Sequence, residues 1–403
     1  MGGAVSRRHL LLGGAAAGIG AASAIGIDLA GRSVRTAAQA VAVADVVDGS
    51  ETVAFFGAHQ AGVETPPQAC VTLVSLDLLD GTDAGALRRM MQVLTDDAAR
   101  LSRGEAALAD SEPELAVTPA RLTVTFGFGP GLVSRAGGAL PSWLRRLPAF
   151  SVDRLEPAWN DGDLLLQIAA EDPVTVAHAT RMLLKDCRSF AAVRWVQTGF
   201  RRPPSSEKPG TTMRNLFGQV DGTVNLVAGT ADLDTLVWGP AGNPTWLHGG
   251  TGFVLRRVSM DLDKWDHLDR GGREASVGRT LANGAPLTGA LETDEPDFAA
   301  TTSLGFPVIA EFSHMRRARS DNPAERILRR GYNYDDLPQA GRISNSGQLF
   351  VSFQADVDAQ FVPIQRRLDE LDLLNEWTTP IGSAVFAIPP GCQSGGYIGD
   401  TLF

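Results

Sequence analysis

The sequence predicts an α+β chain of two ferredoxin-like domains, each an antiparallel sheet with flanking helices, and three observations predict it. Before residue 201 the hydrophobic periodicity switches between strand and helix in the order βαββαβ, the split pattern of a ferredoxin-like sheet with its helices on one face. After residue 210 a looser copy of that rhythm returns. Between them Arg201 to Gly210 (RRPPSSEKPG) has the proline, serine and glycine content of a linker.

Taken in order, Ala69 to Leu79 (ACVTLVSLDLL) is rich in β-branched residues with partial alternation and reads as the first strand. Ala84 to Leu101 follows as an amphipathic helix, with Leu87, Met90, Met91, Leu94 and Ala98 at three- and four-residue steps. Arg121 to Phe128 is the second strand, closed by Gly129-Pro130-Gly131, and Asp163 to Ala170 is the third. Val174 to Phe190 is the second helix and Ala192 to Phe200 the fourth strand. In the second half, Gly252 to Leu262 reads as a strand, Asp263 to Ala282 as partly helical, and Phe306 to Phe312 as a short apolar run. Gln348 to Phe353 is a strand, Phe361 to Trp377 a helix and Ser383 to Ile388 the last strand. Asn283 to Gly305 and His314 to Gly347 are long connections rich in Gly, Asp and Arg, a length that in a compact domain marks either function or disorder.

The first forty residues read as an address. Ser6-Arg7-Arg8-His9-Leu10-Leu11-Leu12 precedes a weakly apolar, glycine-interrupted run, and Ala38-Gln39-Ala40 offers a small-residue cleavage site. This looks like a twin-arginine export signal, with too little strongly apolar surface for a membrane span. The expected organisation is a signal over 1–40, a linker over 41–66, an N-terminal domain over 67–210 and a C-terminal domain over 211–403. The expected location is outside the cytoplasm, extracellular or in the cell envelope, after cleavage near Ala40. Export in the folded state is a hint of a cofactor inserted before crossing.

Composition narrows the function. With 403 residues, 44% hydrophobic and 20% charged, the chain is globular and long enough for two or three compact units. Its 46 acidic and 36 basic residues give −10, the wrong sign for a general nucleic-acid binder or a basic membrane-surface protein. Cys70, Cys187 and Cys392 are too few for a disulfide framework and too far apart for a zinc motif, and read as small buried apolar residues.

Chemistry concentrates in three places. In Arg214 to Asn225 (RNLFGQVDGTVN) two glycines and a carboxylate sit without hydrophobic periodicity. Asp221 is either a proton carrier held among Val220, Val224 and Phe217, or the solvated side chain of an Asp-Gly turn. His314 stands where an apolar stretch gives way to an Arg-rich loop, either as a structural histidine or as an iron ligand whose other nitrogen donates to a carboxylate. In Arg326 to Asp335 (RILRRGYNYD) an arginine pair precedes an aromatic turn, and serves either as a surface cluster or as a clamp for negative charge. HExxH, G-x-S-x-G, and a GxGxxG opening a helix after a strand are all absent from the sequence, which leaves zinc-protease, serine and dinucleotide chemistry without support.

In their order and spacing these segments resemble the dye-decolourising peroxidase family, haem proteins of two ferredoxin-like domains, over about Val71 to Phe403. The motifs are G-x-x-D-G-T-x-N at Gly218, Asp221, Gly222, Thr223 and Asn225, then His314, then R-R-G-Y-x-Y from Arg329 to Tyr334, with F-G-F-G-x-G from Phe126 to Gly131 in the first half. The resemblance implies a peroxidase carrying haem b, with His314 as the iron ligand and Asp221 and Arg329 as the catalytic pair on the opposite side. It places Gly222, Thr223 and Val224 along the haem edge, and Arg319 and Arg329 among the cofactor-binding residues. It makes Asp356 the carboxylate behind His314. Its partners would be hydrogen peroxide, an electron donor of unknown identity and the twin-arginine machinery, with Tyr332, Tyr334, Tyr397 and Trp377 as candidates for surface oxidation. Release of iron from haem, as assigned to some relatives, and a low-turnover haem-binding role are the alternatives.

Overall fold

The computed structural model describes residues 49–403 apart from 240, 241 and 339, so the expected twin-arginine signal and cleavage site lie outside the described residues. The first half contains β1 (Cys70–Leu78), α1 (Ala84–Leu101), β2 (Thr123–Phe128), α2 (Pro130–Arg135), β3 (Leu164–Ala170), α3 (Pro173–Cys187) and β4 (Ala191–Phe200). Its strands lie antiparallel in the order β2-β3-β1-β4. Asp83 and Asp172 cap α1 and α3, accepting from the backbone nitrogens of Ala86 (2.7 Å) and Thr175 (2.8 Å). Leu87, Met90, Met91, Leu94 and Ala98 are fully buried against the sheet, and each large one contributes about 1.5–3 kcal/mol by leaving water.

The second half contains α4 (Ala231–Val237), β5 (Thr251–Met260), α5 (Leu262–Trp265), α6 (Arg270–Val277), α7 (His314–Ala318), β6 (Leu328–Arg329), β7 (Tyr332–Asp335), β8 (Ser346–Gln354), α8 (Val362–Leu371) and β9 (Thr378–Ile388). β6 and β7 are one strand line broken at Arg330-Gly331, because both pair with β8 in a single antiparallel register from Leu328↔Phe353 to Asp335↔Ser346. The order β9-β5-β8-β7 therefore repeats the order of the first half, last strand beside first and third beside second.

The two sheets meet at both edges. Phe128 of β2 pairs with Ala387 of β9, and Phe200 of β4 pairs with Asn333 of β7. Among the described residues this closes a ring of eight strands, with β6 as the continuation of β7. Leu73, Leu165 and Trp195 from one sheet share a buried core with Phe253, Phe353 and Phe386 from the other. Closure removes the unpaired edges that an open sheet would expose.

Several local expectations are corrected. The apolar run Phe306 to Phe312 is not a buried element: it leaves a tight turn bridged at Thr301↔Pro307, and Phe306 and Phe312 are exposed while Ile309 is buried. The helix expected over Phe361 to Trp377 divides into a π-turn (Val357–Phe361), α8 and a 3-10 turn (Leu373–Glu376), with Pro363 in the first turn of α8. Tyr332 and Tyr334 are core residues rather than surface ones, at 0% and 1% exposure. All three cysteines are unpaired thiols, and burial pushes Cys187 up to about 12 and Cys392 up to about 11. Among the described residues no helix is long and apolar enough to cross a membrane.

The Gly129-Pro130-Gly131 turn ends β2 against the Gly162-Asp163 turn. A Cβ at Gly129 would fall 2.1 Å from the Gly162 carbonyl oxygen, a backbone atom that cannot swing aside. Gly129→Ala is expected to lower the unfolding free energy by about 1–3 kcal/mol, read as a lower urea midpoint at unchanged slope.

Candidate active site

The Arg214 to Asn225 segment folds on itself. Arg214 and Val220 form an isolated antiparallel bridge, the Asp221 nitrogen donates to the Met213 carbonyl (2.8 Å), and the Asn215 nitrogen donates to Gln219 (3.0 Å). The Arg214 guanidinium ties the turn to the carbonyls of Leu281 (2.7 Å) and Ala282 (2.9 Å), and Phe217 packs on Trp265 with ring centroids 4.3 Å apart. Gly222 follows Asp221 at φ +127°, a backbone state closed to most side chains, which explains the Asp-Gly pair.

Asp221 is held by polar partners, not by the apolar cage its neighbours suggest. Phe217 is spent on Trp265 and Val224 is 66% exposed. Asp221 Oδ1 lies 3.5 Å from Arg329 Nη1, and Oδ2 accepts from Gln348 Nε2 at 2.6 Å. Arg329 is itself fixed at three points. Its Nη2 donates to the Val224 carbonyl (2.8 Å), its backbone nitrogen donates to Asn225 Oδ1 (2.9 Å), and its carbonyl accepts from Asn225 Nδ2 (2.9 Å). The amide of Asn225 thus stands in for a strand neighbour of β6. Strand alternation sends the next arginine the other way: Arg330 is 2% exposed and binds Thr65 and Gln68.

His314 opens α7, with Ser313 at its N-cap, so the Arg-rich stretch that follows it begins as a helix and not as a loop. Its Nδ1 is 2.6 Å from Asp372 Oδ2, and its Nε2 has no partner among the described residues. Asp372 ends α8 with its side chain 3% exposed, and its other oxygen accepts from the Leu374 nitrogen (3.0 Å). Burial pulls the His314 imidazole toward neutrality, but the charge and hydrogen bond of Asp372 outweigh it and hold its pKa above 6.5. The charges of Asp221 and Arg329 also act on His314, in opposite directions, so the three groups share one electrostatic neighbourhood.

Asp356 does not stand behind His314. It lies just past β8 and caps the following turn, accepting from the Ala359 nitrogen at 2.9 Å, while Asp372 lies next to α7. Sequence reasoning missed Asp372, whose signal was an acid flanked by leucines (Leu371-Asp372-Leu373-Leu374) at the end of an amphipathic helix. It also missed Gln348, Glu292 and Arg279. Glu292 Oε1 accepts from Thr223 (2.8 Å) and Thr212 (2.6 Å), fixing the turn after Gly222. Arg279 is 8% exposed and donates to the carbonyls of Gly284 (2.6 Å) and Glu292 (2.9 Å). Burial lowers its pKa against the opposing charge of Glu292, and the charges of Arg329 and Arg319 lower it further, so the three guanidiniums act on one another. Arg319 is ion-paired with Glu295 and lies over the Phe298 ring.

The donor set fits a haem. One imidazole, oriented by a buried carboxylate, offers a single free nitrogen, and no cage of three or more His, Cys, Asp or Glu exists among the described residues. Three arginines supply cations for carboxylate arms, and Val224 stands uncovered beside the carboxylate and guanidinium as apolar surface for a ring edge.

Comparison with known proteins agrees. Residues 60–201 match the family model described as Dyp-type peroxidase, N-terminal, and residues 212–393 match Dyp-type peroxidase, C-terminal. The dye-decolorizing peroxidase of Thermobifida fusca is 37% identical over 360 residues, covering 86% of this chain and 84% of that one. A deferrochelatase of Escherichia coli is 33% identical over 375 residues, covering 88% of each. Among solved structures, a DyP-type peroxidase from Cellulomonas bogoriensis superposes with a TM-score of 0.85 at 54% identity, over 88% of this chain and 98% of that chain. Ferric DtpA from Streptomyces lividans does so with a TM-score of 0.84 at 38% identity, over 88% and 97%.

Replacing Asp372 with Asn removes the charge that raises His314, leaving burial to dominate. The imidazole of the haem-free Asp372→Asn chain is expected to titrate at lower pH than in the parent, read from its ring-proton NMR shifts.

Proposed function

The chain belongs to the Dyp-type peroxidase family and is a haem-dependent peroxidase, and from that premise we propose that His314 would hold its haem iron and that Asp221 and Arg329 are its catalytic pair. It reduces hydrogen peroxide with electrons taken from a second, donor substrate. The observation that carries the residue assignment is the placement of His314 Nε2, unpartnered among the described residues, in the electrostatic field of an Asp221–Arg329 pair 3.5 Å apart.

Haem, when bound, supplies the iron that receives peroxide and stores the oxidising equivalents passed on to the donor. The protein groups then have separate tasks. His314 would hold iron through Nε2, with Asp372 accepting the Nδ1 proton and making the imidazole a stronger electron donor. Asp221 would take a proton from one oxygen of hydrogen peroxide and carry it to the other, which becomes the better leaving group. Arg329, kept at its post by Asn225 and the Val224 carbonyl, would offset the charge that develops as the oxygens separate. Gln348 would keep the carboxylate aimed by holding Oδ2. Gly222, Thr223 and Val224 would line the haem edge, and Arg279, Arg319 and Arg329 would face its carboxylate arms.

The leader supports export by the twin-arginine route with cleavage near Ala40, which places the mature protein outside the cytoplasm; replacing Arg7 and Arg8 by lysine and fractionating cells tests it. The deferrochelatase relative supports a second activity, iron release from haem, whose signature is intact metal-free porphyrin after incubation with haem.

Asp221→Ala and Arg329→Ala are each expected to slow the stopped-flow reaction with peroxide by about 10²–10⁴-fold while the Soret band is retained. Parent rates in both variants would refute the assignment. His314→Ala is expected to lose the Soret band. Because Asp372 holds the His314 pKa above 6.5 in the haem-free chain and iron takes the neutral imidazole, haem affinity is expected to fall as pH drops through that titration, as measured by Soret titration.

A further inference from the structure

α7 begins with His314 and α8 runs into Asp372, so how these two helices lie on each other sets the geometry of the pair. Beside His314 and Asp372 they are joined by backbone, the Leu373 nitrogen donating to the Phe312 carbonyl at 2.9 Å. Further along, two arginines clasp reciprocally. Arg317 Nε donates to the Arg367 carbonyl (2.9 Å), and Arg367 Nε donates to the Arg317 carbonyl (3.3 Å). Arg317 Nη2 also pairs with Glu370 at 2.8 Å. The Arg317 carbonyl belongs to the last turn of α7, where carbonyls have no partner within their own helix and accept from an arginine. Two helices joined at one point can turn about it, whereas a second fastening fixes their angle.

Arg367 reaches further than this clasp. Its Nη1 donates to Glu325 Oε2 at 2.6 Å, both side chains being largely buried. Glu325 Oε1 accepts from Asn322 (3.3 Å), and the hydrogen bond from Arg367 leads the contacts that lower the Glu325 pKa. Arg329 stands four residues beyond Glu325, and the chain between them is held at each step. The Arg326 carbonyl accepts from Gln360 Nε2 (2.7 Å), Ile327 is buried, and Leu328 pairs with Phe353. One guanidinium therefore fastens the connection from His314 to Arg329 near both of its ends. None of the Arg367 hydrogen bonds goes to His314, Asp221 or Arg329, and its Nη2 is buried without a partner among the described residues. Nor is its charge among those that act on His314, so its influence passes through the backbone.

We propose that Arg367 is a positioning residue for the peroxidase site, with one arm that holds α7 and His314 against Asp372 and a second, through Glu325, that holds Arg329 in place. This rests on the roles assigned above to His314 and Arg329. Displacements of a fraction of an ångström at such groups are costly in rate, which is what a shared fastening prevents.

Arg367→Lys tests this, because lysine keeps the charge but cannot hold the Arg317 carbonyl and Glu325 together. Two readouts separate the arms. In the haem-free full chain, the NMR signal of the His314 Nδ1 proton, absent in His314→Ala, reports the bond to Asp372. In the ferric haem-loaded chain, fluoride affinity reports Arg329, since fluoride is held by guanidinium donors on the side of the iron opposite His314. Arg367→Lys is expected to speed solvent exchange of that proton and to weaken fluoride binding, each at least about tenfold. Arg317→Met should move the proton signal alone and Glu325→Ala the fluoride affinity alone, and these two carry the test if Arg367→Lys does not fold. A general loosening of the fold would move both readouts in all three variants and would overturn the inference, as would parent exchange in Arg317→Met or parent fluoride affinity in Glu325→Ala. Parent fluoride affinity in Arg329→Ala would refute the assignment of Arg329 itself, and this inference with it.

Discussion

The pairing of β8 with the broken strand from Leu328 to Asp335 is the constraint on which the rest of the molecule depends. One antiparallel register runs through the break, so it fixes two distant events at once. At its far end Asn333 meets Phe200 of β4 and helps close the ring between the two halves. At its near end Arg329 is presented to Asp221, and Gln348 on β8 reaches the same carboxylate. A slip of one residue would exchange Arg329 for Arg330, sending a buried structural arginine into the site and the site arginine into the core.

This dependence explains what could be read from the sequence. α1 and α3 were legible because their apolar stripe, Asp caps and length are all local properties. β1 was legible from its β-branched residues and partial alternation, and β3, buried on both faces, as a nearly continuous apolar run. β6 and β7 were not, since RILRRGYNYD carries charges and a glycine and becomes strand only when β8 is beside it. α7 has five residues, too few for a periodicity to register.

Within the site, the family motifs drew attention to Asp221, His314 and Arg329, and the structure brings them into one neighbourhood. The supporting residues were harder. Asp356 follows a strand and Asp372 ends a helix, and nothing in the sequence says which lies beside His314; only the packing of α7 on α8 decides it. Gln348 and Glu292 have no motif of their own and matter through the single carboxylate or hydroxyls they hold.

The buried thiols have a consequence of their own. Hydroperoxides oxidise the thiolate and scarcely touch the protonated sulfur, so Cys187 and Cys392, raised to about 12 and about 11, are nearly inert toward the oxidant this catalyst meets. With Cys70 also raised, chiefly by burial, the fold resists self-inflicted sulfur damage. Because it draws on no disulfide, a reducing compartment has no cross-link of this fold to break.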